Sequence, residues 1–156
     1  MKLRVVLAVA ALFTLAAASA ADPVKSDQAA LQGTWRLFSV EINKEPIPLE
    51  DLKEGDKVMP VTLVVKGDSY VCHLGKQSLD LTFKMDPGKT PKTIDMTFVS
   101  GPEKDKVLHG IYKLDADTYT VCRHVDPDQP RPTVFETKKD SGLMLVVWKR
   151  AGPAIP

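Results

Sequence analysis

From Gly33 onward, apolar residues recur at every second position, the period of a β-strand and not of a helix. In "GTWRLFSVEI", Trp35, Leu37 and Ser39 share one face, and Phe38, Val40 and Ile42 share the other. Apolar residues on both faces predict a first strand that is buried on both sides or bent partway along. "SLDLTFKMD" sets Leu79, Leu81, Phe83 and Met85 against Ser78, Asp80, Thr82 and Lys84. "TIDMTFVSG" sets Ile94, Met96 and Phe98 against Thr93, Asp95 and Thr97.

Turn signals separate these runs. "VTLVVKGDSYVCHL" reads as two strands around Lys66-Gly67-Asp68, "VLHGIYKLD" and "TYTVCRHVD" flank Ala116-Asp117, and "DPGKTP" is rich in Pro and Gly. "PTVFET" and "LMLVVWKR", divided by "KKDSG", read as the last two strands. Residues 43–59, with Pro46 and Pro48, read as a long loop with room for one helical turn. Residues 22–32 are polar enough for one short helical turn, and 21–30 read as a flexible lead-in. No amphipathic helix of ordinary length follows residue 33. Eight or nine strands in sequential hairpins predict an all-β protein, an antiparallel up-and-down barrel. Closing it removes edges that would otherwise pair with other chains. An eight-stranded interior has room for side chains or for one small ligand.

The beginning of the chain follows different rules. Lys2 and Arg4 precede an apolar run over residues 5–18, and Ala18-Ser19-Ala20 is a small-x-small cleavage site. That order is the order of a secretory signal peptide. The run is about 14 residues, short of the roughly 20 that cross a bilayer as a helix. The expected organisation is a signal peptide over 1–20, a lead-in over 21–30, a barrel over 31–150 and a tail over 151–156. Export to the periplasm, the cell envelope or the medium follows, with no membrane span in the mature chain. The full chain carries 21 Lys+Arg and 20 Asp+Glu, and cleavage removes two of the basic residues. A near-neutral chain has no electrostatic footprint for nucleic acid or an anionic membrane.

Gly33 and Trp35 open the first strand. Glycine permits a tight entry, and Trp35 buries a large ring whose N–H needs a partner. Arg150 shares a face with Trp148 on the last strand. In a closed barrel that strand pairs with the first, so the guanidinium would stack over Trp35 and bond nearby carbonyls. A Gly-x-Trp on the first strand with a basic residue on the last resembles the lipocalin pattern. The longer strings "LQGTWRLFSVEINKEPIP", "PKTIDMTFVSGPEKDKVLHGIYKLDADTYTVC", "RPTVFET" and "SGLMLVVWKR" resemble an uncharacterised exported lipocalin-like domain family abundant in planctomycete-type bacteria. The resemblance spans about 31–150 and is least over 44–80. It implies an exported β-barrel domain and no established reaction or catalytic residues.

Candidate chemistry is sparse. Cys122 and His124 lie two apart on one strand face, the arrangement of a thiolate and its base in a hydrolase. No oxyanion-hole motif or nucleophile elbow accompanies them. Cys72, His73, His109, Cys122 and His124 are the possible metal ligands, but Cys72 and His73 are adjacent and face opposite ways. None has the short spacing of a structural zinc motif, and no metal or cofactor is expected. Export makes a Cys72–Cys122 disulfide permissible. On this strand count the two lie on the third and seventh strands, which are not neighbours in a meander, and a disulfide needs Cα atoms within about 7 Å. Asp80, Asp95, Asp115, Asp117 and Glu136 fall on polar faces or in turns.

Phe83, Met96, Phe98, Tyr112 and Tyr119 fall on the apolar faces of consecutive strands. Facing inward, they line one interior, either as a filled core or as adaptable pocket walls. The expectation is an exported non-enzymatic module that binds a small apolar or amphipathic ligand inside the barrel. The alternative is a cell-envelope protein-interaction module with a filled core, its contacts on the 43–59 loop and "VDPDQPRPT". A hydrolase built on Cys122 and His124 is the third reading.

Overall fold

The structure, a computed structural model, describes residues 22–152. The signal peptide expected over 1–20 and most of the tail expected over 151–156 lie outside the described residues. A helix α1 (Pro23–Leu31) precedes β1 (Gly33–Ile42), β2 (Glu45–Ile47), a 3-10 turn (Leu49–Asp51), β3 (Lys53–Glu54), β4 (Lys57–Val58), β5 (Val61–Lys66), β6 (Ser69–Leu74), β7 (Gln77–Asp86), β8 (Thr93–Phe98), β9 (Val107–Leu114), β10 (Thr118–His124) and β11 (Leu143–Arg150).

From β5 to β11 each strand pairs antiparallel with the next, and β1 pairs with both β5 and β11. The result is a closed eight-stranded up-and-down barrel of lipocalin-like architecture. A ninth strand, β2, adds to β1 beyond the point where β5 stops: β5 takes residues 33–36 and β2 takes 40–42. Asn43 and Lys44, with φ of 54° and 70°, make the tight reversal from β1 to β2. β3 and β4 form a separate two-stranded hairpin.

The two-faced first strand is explained by a bulge. Pairing with β11 slips by one residue between Leu37 and Ser39. Trp35 and Leu37 before the slip, and Val40 and Ile42 after it, all pack against the core. A bulge restores the inward face after an odd step. Phe38, the residue passed over, is left 59% exposed, with the Lys149 ammonium 5.4 Å from its ring centre.

Two expectations are corrected. Residues 23–31 form a capped nine-residue helix, longer than the single turn expected. Asp22 caps it by accepting a hydrogen bond from the Val24 N–H at 3.0 Å, and Pro23 occupies its first turn. Side chains far along the chain hold it in place. Tyr112 donates to Asp27 at 2.6 Å, Lys92 pairs with the same carboxylate at 2.7 Å, and Arg150 donates to the Ala30 carbonyl at 2.7 Å.

The second correction concerns "PTVFET", which is not a strand. Residues 125–142 run as a strap over the outer wall. Pro130 and Pro132 lack backbone donors, and side chains fasten the segment instead. Asp128 accepts from the Val107 N–H at 3.0 Å. Arg131 donates to the Gly110 carbonyl at 2.6 Å and to Asp95 at 2.6 Å. Thr137, fully buried, donates to Glu41 and accepts from the Lys44 N–H at 2.7 Å. Gly110 leaves no room for a side chain between β8 and β10: a Cβ there would come within 3.2 Å of both the Cys122 carbonyl and the Ile94 side chain.

The core fills the half of the barrel nearest α1. Trp35 packs on Tyr119 with centroids 6.0 Å apart, Tyr119 on Tyr70 at 6.4 Å, and Tyr70 on Phe83 at 6.1 Å. Burying such rings stabilises by several kcal/mol each on the order of the transfer scale.

Candidate functional site

The helix end of the barrel is sealed. Gly33 enters β1 with φ 114°, a conformation that favours glycine. Two residues later the Trp35 indole donates to the Leu31 carbonyl at 2.9 Å. The Arg150 guanidinium carbon sits 4.1 Å from the Trp35 ring centre, and its N–H groups donate to the Ala116, Gln32 and Ala30 carbonyls. Tyr112 is buried there, its phenol pushed up first by burial and then by its bond to the Asp27 carboxylate.

The opposite end is hollow. Two lobes of about 360 and 290 Å³ lie between the strands. The lobes share Cys72, Leu79, Arg123, Met144, Val146 and Trp148 as common wall. Tyr70, Leu81, Met96, Phe98, Leu108 and Val121 line the rest of the first, with Glu103, Val125, Asp126 and Pro127 at its rim. Leu37, Val40, Ile42, Val61 and Leu74 complete the second, with Ile47 and Leu52 of the 43–60 segment folded across it. These sizes match the lower range of small-molecule sites, about 300 Å³ upward. At the mouth Leu79 is 42% and Val125 43% exposed, beside the acidic Glu103 and Asp126.

Of the residues expected to line an interior, Met96 and Phe98 reach the first lobe. Phe83, Tyr112 and Tyr119 are buried in the packed half, below the cavity. The Tyr119 hydroxyl makes no hydrogen bond of ordinary geometry, and burial pushes its phenol up.

Arg123 was within reach of the sequence as a site residue, and strand parity is the signal that identifies it. Tyr119 and Val121 face inward on β10, so Arg123 does too. It is half-buried among the apolar walls of both lobes. Burial pushes its guanidinium down, and the neighbouring phenols and thiols of Tyr70, Cys72, Tyr119 and Cys122 oppose that. Its Nη1 donates to the His124 carbonyl at 2.7 Å. Trp148, another shared wall residue, carries a buried indole N–H without a partner.

The two cysteines are free, in keeping with the distance between their strands that argued against a disulfide. Cys72 lies inside the barrel on β6; Cys122, one residue from inward-facing Val121, lies outside β10 under the strap. The wall itself separates them. Burial pushes the Cys72 thiol up to about 11, although the nearby Arg123 lowers it. Cys122 is fully buried, and its thiol is raised by burial against a backbone hydrogen bond from Glu136. A nucleophilic cysteine has the reverse shift.

His73 is exposed on the outer face of β6. His109 lies outside β9, where its Nδ1 is 2.6 Å from Asp95. The possible metal ligands are therefore scattered over both sides of the wall, and among the described residues no group of three or more His, Cys, Asp or Glu could hold an ion. Among the same residues no helix is long and apolar enough to cross a membrane. More open grooves lie on the outer wall, such as the one between Asp95, Arg131 and the 86–93 segment. No protein-family model, curated protein or solved structure matches the chain.

Proposed function

We propose that this protein is an exported, non-enzymatic binding module that holds a small apolar or amphipathic molecule in the open half of its barrel. One observation carries the reading: the interior is filled at the helix end and hollow at the other, with two adjoining, mostly apolar lobes and exposed Leu79 and Val125 at their mouth. A barrel serving only as a scaffold for loop contacts has no need of that hollow. The N-terminal pattern of Lys2, Arg4 and the apolar run supports export, and the resemblance to an exported lipocalin-like domain family agrees with it.

Native mass spectrometry of protein purified without detergent tests this. A reproducible adduct that leaves on denaturation is expected, together with its loss in Leu108→Trp, which fills the first lobe. A clean apo mass, with no binding of an added twelve-carbon alcohol, overturns the reading in favour of an interaction module.

A further inference from the structure

We propose that the molecule held in the cavity carries an acidic oxyanion head, seated inside the wall on the Arg123 guanidinium, with its apolar body in the lobes. This rests on the binding reading above and adds the chemistry of the head. Arg123 is common wall to both lobes, so a head placed there leaves either lobe free for a chain. Of the five N–H donors of a guanidinium, one meets a partner among the described residues, at the His124 carbonyl. Among the described residues no carboxylate lies at ion-pair distance from it. Arg131 and Arg150 are held differently: Arg131 has Asp95, and Arg150 has three carbonyls and a Trp face.

A charge drawn into an apolar wall without a counter-charge is costly, and an entering anion relieves that cost. The remaining polar groups of the wall point to the same chemistry. The Trp148 N–H is a donor only and lacks a partner. Tyr70 and Cys72 add a hydroxyl and a thiol. The acidic groups of the site are Glu103 and Asp126, in the loops at the rim of the first lobe, and Glu103 is engaged with Lys106 at 2.7 Å. The interior thus presents donors and one positive charge. Arginine takes a carboxylate or a phosphate through paired hydrogen bonds, and either satisfies it.

Four ligands with one twelve-carbon tail decide the matter: laurate, dodecyl phosphate, dodecanol and dodecyltrimethylammonium, titrated below their micelle concentrations and followed calorimetrically. At least one anion is expected to bind about tenfold or more tighter than dodecanol, with the ammonium weakest. The tighter of the two anions identifies the head as carboxylate or phosphate. Arg123→Gln is expected to abolish the advantage and leave dodecanol within about twofold. Equal binding of all four, or an anion preference unchanged in Arg123→Gln, overturns the Arg123 assignment and leaves the binding reading standing. Binding of none overturns both. If Arg123→Gln does not fold, the wild-type ranking still decides, and Arg123→Lys, which keeps charge without the paired geometry, should retain only part of the preference.

Discussion

The guanidinium of Arg150, from the last strand, sits 4.1 Å over the ring of Trp35, from the first. This contact joins the barrel seam, the sealing helix and the core. Trp35→Ala is expected to destabilise the protein by about 3–5 kcal/mol, the range for emptying a buried aromatic site. Arg150→Ala should cost about 1–3 kcal/mol, since it frees the Ala30, Gln32 and Ala116 carbonyls as well as the ring. The two losses should not add, because they share a contact. Urea unfolding of both single variants and the double variant measures this. Strict additivity would show that the stacking contributes nothing.

The bulge in β1 predicts opposite outcomes for neighbouring residues. Phe38→Ser, on the exposed outer face, should change stability by less than about 1 kcal/mol. Val40→Asp places a carboxylate in the core and should abolish folding. Circular dichroism and thermal melts separate the two. A severe Phe38→Ser would mean that the strand faces are assigned the wrong way round.

Much of this was legible from residue pattern. Strict alternation in "SLDLTFKMD" and "TIDMTFVSG" fixed β7 and β8, and Gly33, Trp35 and Arg150 marked the sealed end. The bulge was visible only as an ambiguity, because its resolution depends on register with β11. The order of α1 lay beyond reach, since its anchors Lys92, Tyr112 and Arg150 are distant in the chain. "PTVFET" has strand composition, but Arg131 and Thr137 bind it sideways to the wall and not in a ladder. The interior was read from its large apolar residues. That points to the packed half, where Phe83, Tyr112 and Tyr119 lie, and away from Arg123, which is polar and marks the hollow half.

The strap should loosen in acid. Partial burial raises the Asp95 carboxyl, but its bonds to His109 and Arg131 outweigh this and hold it below its usual value. A depressed carboxyl contributes stability above its unfolded value, near pH 3.9, and that contribution is lost as pH falls through the lower folded value. The residue is substantially exposed, so the effect should be small. Hydrogen-exchange protection over 125–142, taken relative to the intrinsic rate at each pH, is expected to fall below about pH 4 in the wild type and to be already low and less pH-dependent in Asp95→Asn. Identical profiles would remove Asp95 as the anchor.

Alkylation distinguishes the two thiols. At pH 8 Cys72 should react with iodoacetamide far more slowly than a free thiol, because its value is raised to about 11. Occupation of the cavity should slow it further. Cys122, fully buried beneath the strap, should react only on unfolding. Peptide mapping after timed labelling reads both, and a Cys72 rate indifferent to ligand would place the ligand elsewhere.

Closure of the ring by β1 and β11 also governs how the molecule is made. A growing chain holds β1, β5 and their successors long before residue 150 exists, with one bare edge on β1 and another on the newest strand. Only the eight residues of β11 cover both edges, so pairing between sequence-distant segments must come late and sets a slow step. A chain ending before β11 would not be a smaller barrel. It would be an open sheet with two adhesive margins, and its fate would be self-association.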